Sequence, residues 1–317
     1  MAGQIGTTIG WTLLQAVFLL VLAPLIQGII KKAKARMQSR IGPSIWQPYY
    51  DLIKYMNKDA VISSHTSWLT VATPYITFAA ILTAGLFVPT FFAGTPLGFM
   101  GDFILIVYLF GMARFFTALT ALDAGSSFGG MGSSREMALS AIAEPALLLA
   151  GFAVFLSSGT TNLDQLIPSL AATDWSLIEP ARILALFAMF IVVITEIGRI
   201  PVDNPDTHLE LTMIHEGMLL EYSGRYLGMM MWAAQIKQLL ILSLFINFLF
   251  PWGVTIDWNG SAVFLSFVLY LLKLVTVGVL LAFIETMYAK IRLFKVPKLL
   301  VSSMVLSLLA ILFQAIA

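Results

Sequence analysis

Eight long apolar runs restrict what this chain can fold into. Hydrophobic residues make up 59% and charged residues 11% of its 317 positions, whereas about 25% of a soluble domain is charged. A helix needs roughly 20 apolar residues to cross a bilayer core. The runs predict an all-α, polytopic membrane protein with eight transmembrane helices, at about residues 5–30, 68–93, 102–122, 134–157, 179–198, 226–250, 261–284 and 297–316.

The first apolar run is expected to remain as a span. It is longer than the apolar core of a signal peptide, and no basic segment precedes it. The two halves lack the matched broken helices of inverted-repeat transporters, so we expect a single membrane domain over residues 1–317. The chain has no cysteine, which excludes disulfides and thiolate-bound metals. We expect it to bind no cofactor itself.

Basic residues are concentrated in alternate loops. They include Lys31, Lys32, Lys34, Arg36, Arg40, Lys54 and Lys58 after the first run, and Arg135, Arg199, Arg225, Lys290, Arg292 and Lys295 further along. The other loops, at about 94–101, 158–178 and 251–260, contain no Lys or Arg. The positive-inside rule therefore predicts that the basic loops are cytoplasmic and that both termini face outside.

Charged residues also lie inside or at the ends of the apolar runs: Arg114, Glu136, Glu144, Arg182, Glu196, Lys237, Lys273 and Glu285. A charge at the centre of a bilayer costs about 2.5–3.5 kcal/mol, so it usually faces protein or water. Such residues either form ion pairs that orient helices or mark an ion pathway. Pairing is favoured for Arg182 and Glu285, and a pathway for Glu144, Glu196 and Lys237.

The segment 199–225 is unusually rich in titratable groups. It holds Asp203, Asp206, His208, Glu210, His215, Glu216 and Glu221. Asn204 as the N-cap and Pro205 in the first turn predict a helix to about Tyr222, with Glu210 and Glu221 on one stripe. Intervening apolar residues favour a buried helix that exchanges protons over a solvated charged face. The histidine spacing does not match a zinc motif.

A second cytoplasmic helix is predicted after the Gly-Pro break at residues 42–43. Ser44 can cap it, and Trp46, Tyr50 and Ile53 recur at helical spacing, while Asp51, Lys54 and Lys58 lie elsewhere around it. This pattern is typical of an amphipathic helix at an interface. It indicates either a membrane-surface anchor or a docking platform for a cytoplasmic protein.

Three motifs resemble one family. The run ARMQSRIGPSIWQPYYDLIKYMNKD resembles the first loop of the membrane "heel" subunit of respiratory complex I, also called subunit 1. EIGRIPVDNPDT resembles its E-x-x-R-x-P-x-D-x-x-E run, although Asp206 and His208 stand in or near the place of the last glutamate, and EYSGRY resembles its E-Y-S-G ending. With the eight predicted spans, the resemblance covers most of the chain.

The segment HLELTMIHEGMLLEYSG departs from the quinone-reducing branch of that family. There the last two glutamates are eight residues apart, whereas Glu210 and Glu221 are eleven apart. The longer form resembles the homologous subunit of energy-converting NiFe hydrogenases, the branch that includes formate hydrogenlyase subunit 4 and hydrogenase-4 component C. The alternatives are a subunit that lines the quinone chamber of an NADH-quinone oxidoreductase-type complex I, a subunit of a related complex that reduces sulfur rather than protons, and a stand-alone transporter.

The resemblance implies a coupling subunit in the cell inner (cytoplasmic) membrane, and no nucleic-acid partner. Its expected partners are NiFe-hydrogenase large and small subunits, an iron–sulfur protein and antiporter-like membrane subunits. Those partners would carry the NiFe centre and the iron–sulfur clusters, and this chain would link their redox chemistry to H⁺ or Na⁺ translocation.

The resemblance and the residue pattern together nominate two sets of site residues, with no catalytic or metal-binding residue in this chain. The proposed proton pathway comprises Glu136, Glu144, Glu196, Asp203, Glu210, Glu216, Glu221 and Lys237. The proposed docking surface for the cytoplasmic arm comprises Arg36, Arg40, Gly42, Pro43, Trp46, Asp51, Lys54, His208 and His215.

Overall fold

The computed structural model describes residues 2–94, 97–156, 158–172, 180–204, 213–255 and 260–316. Within them the chain forms ten α-helices: α1 Ala2–Met37, α2 Gln47–Met56, α3 Trp68–Phe87, α4 Phe103–Asp123, α5 Ser127–Phe155, α6 Leu163–Ala172, α7 Pro180–Glu196, α8 Gly224–Leu249, α9 Gly260–Met287 and α10 Val296–Ile316. Three short 3-10 helices accompany them, at Gly98–Met100, Glu216–Leu219 and Leu293–Lys295.

Seven of these helices are long and apolar enough to cross a membrane: α1, α3, α4, α5, α8, α9 and α10. The chain is therefore a multi-pass membrane protein with an all-helical fold in its described part. The remaining predicted span coincides with α7, which has 17 residues and so lies at the short end of the range for a crossing helix. The count of eight spans and the outward termini stay predictions.

The arrangement of the long helices places α4 at the centre of one half of the bundle. Helix α4 packs between α3 and α5, while α7 and α10 pack on each other and on α5. Helix α8 contacts α1, α3 and α7, and α1 also packs along α9. Charged side chains on α4, α5, α7 and α8 can therefore meet inside the protein.

The predicted amphipathic helix is present as α2, but its start was predicted wrongly. A turn occupies residues 45–46, and Trp46 rather than Ser44 is the N-cap, with no side-chain hydrogen bond to the first turn. Pro48 and Leu52 are buried, whereas Trp46, Tyr50 and Ile53 are about 60% exposed. The predicted apolar face thus points away from the rest of this chain.

The predicted helix up to Tyr222 is wrong for the part that the structure describes. Residues 213–215 are irregular, and only a 3-10 turn forms at Glu216–Leu219. Tertiary packing explains the difference, because Met213, Ile214, Met218 and Leu219 are buried where the 3-10 turn packs against α4 and α5, and a guanidinium nitrogen of Arg135 donates to the Met213 carbonyl at 3.0 Å. Burial was predicted correctly for these four residues but not for Leu220, which is 46% exposed.

Helix α6 was not anticipated, because its sequence lies in a loop that carries no basic residue. Leu163, Leu166 and Ile167 are fully buried, and their helical spacing is the signal that was missed. One carboxylate oxygen of Asp164 accepts a 2.6 Å hydrogen bond from the Gly94 amide. This short helix therefore closes the end of the bundle opposite the basic loops.

Candidate functional site

The centre of the candidate site is Arg114, in the middle of α4. Its Nη1 lies 2.8 Å from Oε1 of Glu144, and its Nη2 lies 2.5 Å from Oε2 of Glu196. Its Nε lies 3.3 Å from Oε1 of Glu136. Guanidinium has five N–H donors in a rigid plane, so a single arginine can contact three carboxylates at once.

Four different helices bring these groups together, and we call the set the Arg114 cluster. Glu136 and Glu144 are eight residues apart on α5, about two helical turns, so both face α4. Glu196 is the last residue of α7, and its Oε2 is also 3.0 Å from Nζ of Lys237 on α8. Three predicted pathway acids therefore converge on one arginine, and a fourth predicted residue, Lys237, joins them through Glu196.

Burial and charge distinguish the members of the Arg114 cluster. The side chains of Glu196 and Arg114 are 1% and 7% exposed, whereas that of Glu144 is 34% exposed. Glu136 and Lys237 are intermediate, at 19% and 18%. Two cations and three carboxylates give the cluster a formal charge of −1 when all five are ionised.

A cavity of about 180 Å³ opens beside this cluster. That volume holds several water molecules, since one needs only about 10–15 Å³ by this measure. Polar side chains from several loops and helices share the lining: Gln27, Lys31, Thr77, Arg114, Thr117, Glu136, Glu196, Arg199, Asp203, His215, Glu216, Gln235, Lys237 and Gln238. The cavity links the membrane-embedded acids to the segment that follows α7.

A second buried ion cluster, the Glu285 cluster, lies next to the cavity. Glu285 on α9 is 3.0 Å from Nζ of Lys34 and 3.3 Å from Nη1 of Arg199. Nη2 of Arg199 also donates to the side-chain oxygens of Gln27 at 2.5 Å and Gln238 at 2.9 Å. The structure agrees with the expectation that Glu285 pairs to orient helices.

Asp203 holds the segment after α7 in place. Its Oδ1 is 2.6 Å from Nζ of Lys290, and its Oδ2 accepts a 3.3 Å hydrogen bond from the His215 amide. Asp203, His215 and Glu216 line the cavity, and the pathway role of the two acids stays a prediction. His215 was predicted to lie on the docking surface, but it is half-buried at the cavity instead.

Of the remaining predicted residues of this segment, the structure describes only Glu221. Glu221 is exposed and is absent from the cavity lining. His208 and Glu210 lie outside the described residues, so one of the two acids of the predicted carboxylate stripe is not described. Their roles stay predictions.

The predicted docking residues of the first loop lie together at the basic end. Arg36, Arg40, Pro43, Trp46 and Lys54 are exposed, while Asp51 is half-buried and accepts a 2.8 Å hydrogen bond from the side-chain amide of Gln47. Gly42 has a φ of +67°, a conformation that side chains disfavour. It turns the chain back towards α1, where Nζ of Lys32 donates to the Ile41 carbonyl at 2.8 Å.

The E-Y-S-G motif joins two loops at the same end. Oγ of Ser223 donates to the Val61 carbonyl at 3.0 Å and accepts from the Val61 amide at 2.8 Å. Gly224 has a φ of +51°, and a Cβ there would collide with the Asp59 carbonyl. The motif therefore fixes the loop after α2 to the start of α8.

The sequence identifies Arg114 as an intramembrane charge but does not assign it to the site. The amide partners Gln27 and Gln238 and the role of Arg199 were missed entirely. The strongest available signal was the presence of several acidic residues in the predicted spans, because buried carboxylates require a buried cation nearby. Among the described residues, no group of three His, Asp or Glu side chains is arranged to hold a metal ion.

The fold and the site together describe a helical membrane protein that contains paired charged side chains and a polar cavity inside its bundle. The family model described as NADH dehydrogenase matches residues 9–315, and the chain belongs to this family. The resemblance in the first loop and around E-Y-S-G is thereby confirmed.

Comparison with curated proteins narrows the relationship. The chain is 35% identical over 290 residues to formate hydrogenlyase subunit 4 of Escherichia coli (strain K12), covering 91% of this chain and 93% of that one. It is also 35% identical to hydrogenase-4 component C of the same organism, covering 90% of each. The corresponding subunit of the NADH-quinone oxidoreductase of Neorickettsia sennetsu is more distant, at 24% identity over 84% of this chain and 83% of that one.

A solved structure shares the fold. A chain of the membrane-bound sulfane sulfur reductase, an archaeal respiratory membrane complex, superposes with a TM-score of 0.82 at 20% identity, covering 96% of this chain and 99% of that chain. The relatives are subunits of membrane complexes, so this chain is a membrane subunit of a respiratory-type complex.

Proposed function

We propose that this chain is the membrane anchor and coupling subunit of a multisubunit, energy-converting NiFe hydrogenase of the formate hydrogenlyase or hydrogenase-4 type. It docks the cytoplasmic hydrogenase arm and links its redox chemistry to proton or sodium translocation across the cell inner membrane. The observation that carries the proposal is the convergence of Glu136, Glu144 and Glu196 on Arg114 beside a polar cavity.

The charge of the Arg114 cluster suits reversible proton binding. With five ionised groups its formal charge is −1, and one added proton makes it neutral. Glu144 is the most exposed acid and Glu196 the least, so the cluster contains a buried carboxylate that can hold a proton away from solvent. Acids within one or two waters of each other at membrane depth meet the geometric requirement for proton transfer.

Docking of the arm is proposed at the basic end. The exposed side chains of Arg36, Arg40 and Lys54 give this surface positive charge, and Trp46 and Tyr50 add exposed aromatic area. Aromatic residues and arginine are enriched at the centres of protein interfaces. The cavity residues Asp203 and His215 lie on the segment that joins this surface to the acids.

The first test concerns the partners. The complex is solubilised gently from membranes, purified through a tag on this chain, and its components are identified by mass spectrometry. We expect NiFe-hydrogenase large and small subunits, an iron–sulfur protein and antiporter-like membrane subunits. Purification of an intact complex without a hydrogenase large subunit would contradict the proposal.

The second test concerns coupling. In proteoliposomes that contain the purified complex, hydrogen production is expected to drive ion translocation in the wild type and in an Asp59→Asn control, since Asp59 is exposed in a loop. Glu196→Gln should produce hydrogen with little translocation. Equal translocation in Glu196→Gln and the control would show that this acid serves structure alone.

A quinone-reducing complex is the alternative, and one observation favours keeping it. The cavity beside the Arg114 cluster is also lined by apolar side chains such as Ile81, Phe110 and Leu139, which a quinone head group could contact. Inhibitors of quinone sites should then block electron transfer in the purified complex. Full activity in their presence, together with a hydrogenase partner, would leave only the hydrogenase proposal.

A further inference from the structure

A row of buried hydroxyl groups runs between α3 and α4, outside the two ion clusters. The row, which we call the hydroxyl track, consists of Thr70, Thr73 and Thr77 on α3 and Thr117 and Thr120 on α4. Each of these residues is at most 5% exposed. The track begins at the basic end of the bundle, where α3 starts and α4 ends.

The outer end of the hydroxyl track meets a carboxylate. Oδ2 of Asp123 accepts hydrogen bonds from Oγ1 of Thr70 at 3.3 Å and from both the amide and the hydroxyl of Ser67, at 2.8 and 2.9 Å. Asp123 is partly exposed at the end of α4. It can therefore exchange a proton with solvent on one side and with the track on the other.

The middle of the track bridges the two helices directly. The hydroxyl oxygens of Thr73 and Thr120 are 2.6 Å apart, and either can be the donor. Thr120 has the Phe116 carbonyl within 3.0 Å as a second partner, so its hydrogen can alternate between the two acceptors. A hydroxyl with two available partners can accept a proton and pass on another.

The inner end of the track reaches the cavity. Thr77 and Thr117 both donate to the Ala113 carbonyl, at 3.5 and 2.8 Å, and both line the cavity beside Arg114 and Glu196. Successive members on one helix are three or four residues apart, about 5–6 Å between Cβ atoms. One water molecule spans such a gap.

An independent feature points into the same row. The hydroxyl of Tyr222 is buried without a hydrogen bond of normal geometry, and the residue is 6% exposed. Burial raises the pKa of Tyr222 to about 12, although the neighbouring hydroxyls of Thr120 and Thr73 lower it. An unpaired buried hydroxyl is costly, and a water beside Thr73 and Thr120 would satisfy it.

We propose that the hydroxyl track, with intervening water, is the route by which protons enter the cavity from Asp123 at the basic end. This inference rests on the proposed coupling function. For each proton that Asp123 passes to the track, one proton leaves the inner end to a cavity carboxylate, Glu136 or Glu196. Each hydroxyl gains and loses one proton, so the track itself is unchanged.

The opposing explanation is packing alone, because threonines also join membrane helices through hydrogen bonds. Valine has nearly the shape of threonine without the hydroxyl, so Thr73→Val with Thr120→Val tests the relay while preserving the packing. Thr73→Ser with Thr120→Ser retains the hydroxyls. Thr83→Val is the matched control, since Thr83 is an exposed residue of α3 that donates only to the Ala79 carbonyl, at 2.7 Å.

The purified complex is reconstituted in sodium-free proteoliposomes, with reduced methyl viologen as electron donor and a pH-sensitive dye to follow protons per hydrogen formed. The double valine variant should lower this ratio about 100-fold, which is the low end for loss of a positioned proton-transfer group. The serine variant and Thr83→Val should match the wild type. A double valine variant with the wild-type ratio would overturn the relay.

Two further variants keep the outcome decisive. If the double valine complex fails to assemble, Thr73→Val alone and Tyr222→Phe are measured, and wild-type ratios in both assembled complexes overturn the relay. Glu196→Gln is measured in parallel. Normal translocation in Glu196→Gln counts against the coupling function. If Glu196→Gln loses translocation while the double valine variant keeps it, only the hydroxyl track is refuted.

Discussion

The two buried ion clusters use similar side chains in opposite proportions. The Arg114 cluster holds three carboxylates against two cations, borders the cavity and includes an acid that is 34% exposed. The Glu285 cluster holds one carboxylate against two cations, with side chains no more than 11% exposed. The first has a spare acid that can gain a proton, whereas the second depends on a single acid. The difference separates a cluster suited to exchange from one suited to holding helices together.

The largest effect is expected from Glu285→Gln. This change removes the carboxylate that Lys34 and Arg199 both contact. Loss of one partner in a buried ion pair costs about 3–5 kcal/mol, so the complex should be much less stable in detergent. Thermal unfolding of the purified complex measures this, with Asp59→Asn as the control, and an unchanged melting temperature would contradict the structural role.

Glu196→Gln makes the same substitution in the other cluster and should have a different result. Two cations and two carboxylates remain, and the amide oxygen can still accept from Arg114 and Lys237. We expect assembly and melting temperature near those of the wild type, with ion translocation reduced about 100-fold. A stability loss as large as that of Glu285→Gln would remove the distinction between the clusters.

Glu144→Gln should have a smaller effect on translocation than Glu196→Gln. Glu144 is the most exposed acid of the cluster and does not line the cavity, so it is less suited than Glu196 to hold a buried proton. A reduction of about tenfold is expected, measured by the same translocation assay. If Glu144→Gln were more damaging than Glu196→Gln, the exposed acid rather than the buried one would be the essential proton holder.

The smaller of the two effects on stability is expected from Lys34→Met. Glu285 keeps its contact with Arg199, so one hydrogen bond is lost and a charged partner remains. Destabilisation of about 1–3 kcal/mol, the range for a hydrogen bond to a charged group, is expected. Detergent melting curves of Lys34→Met and Glu285→Gln, recorded side by side, test the ranking, and the reverse order would refute it.

The sequence predicted the long helices well because their signal is local. Hydropathy alone placed α1, α3, α4, α5, α8, α9 and α10, and spacing of aromatic residues placed α2. The sequence-based prediction was wrong where contacts between residues far apart in the chain decide the conformation. Residues 213–222 have the helical propensity that the prediction used, but burial against α4 and α5 imposes a 3-10 turn.

The candidate site was predictable in its residue types but not in its connections. Glu136, Glu144, Glu196 and Lys237 could be identified because charge in an apolar run is unusual. The packing of the helices decides that Arg114 contacts these acids. It also decides that Arg199 donates to Gln27 and Gln238. A single sequence carries no local signal for such pairings.

The paired hydrogen bonds between Ser223 and Val61 have a mechanical consequence. They hold the loop after α2 against the start of α8, and the backbone of Gly224 packs closely against the Asp59 carbonyl. If a protein bound to α2 displaced that helix, the displacement would therefore be transmitted to α8. Lys237 lies on α8 some three and a half turns further along. A tilt of α8 at its first turn would therefore move the ammonium group that contacts Glu196.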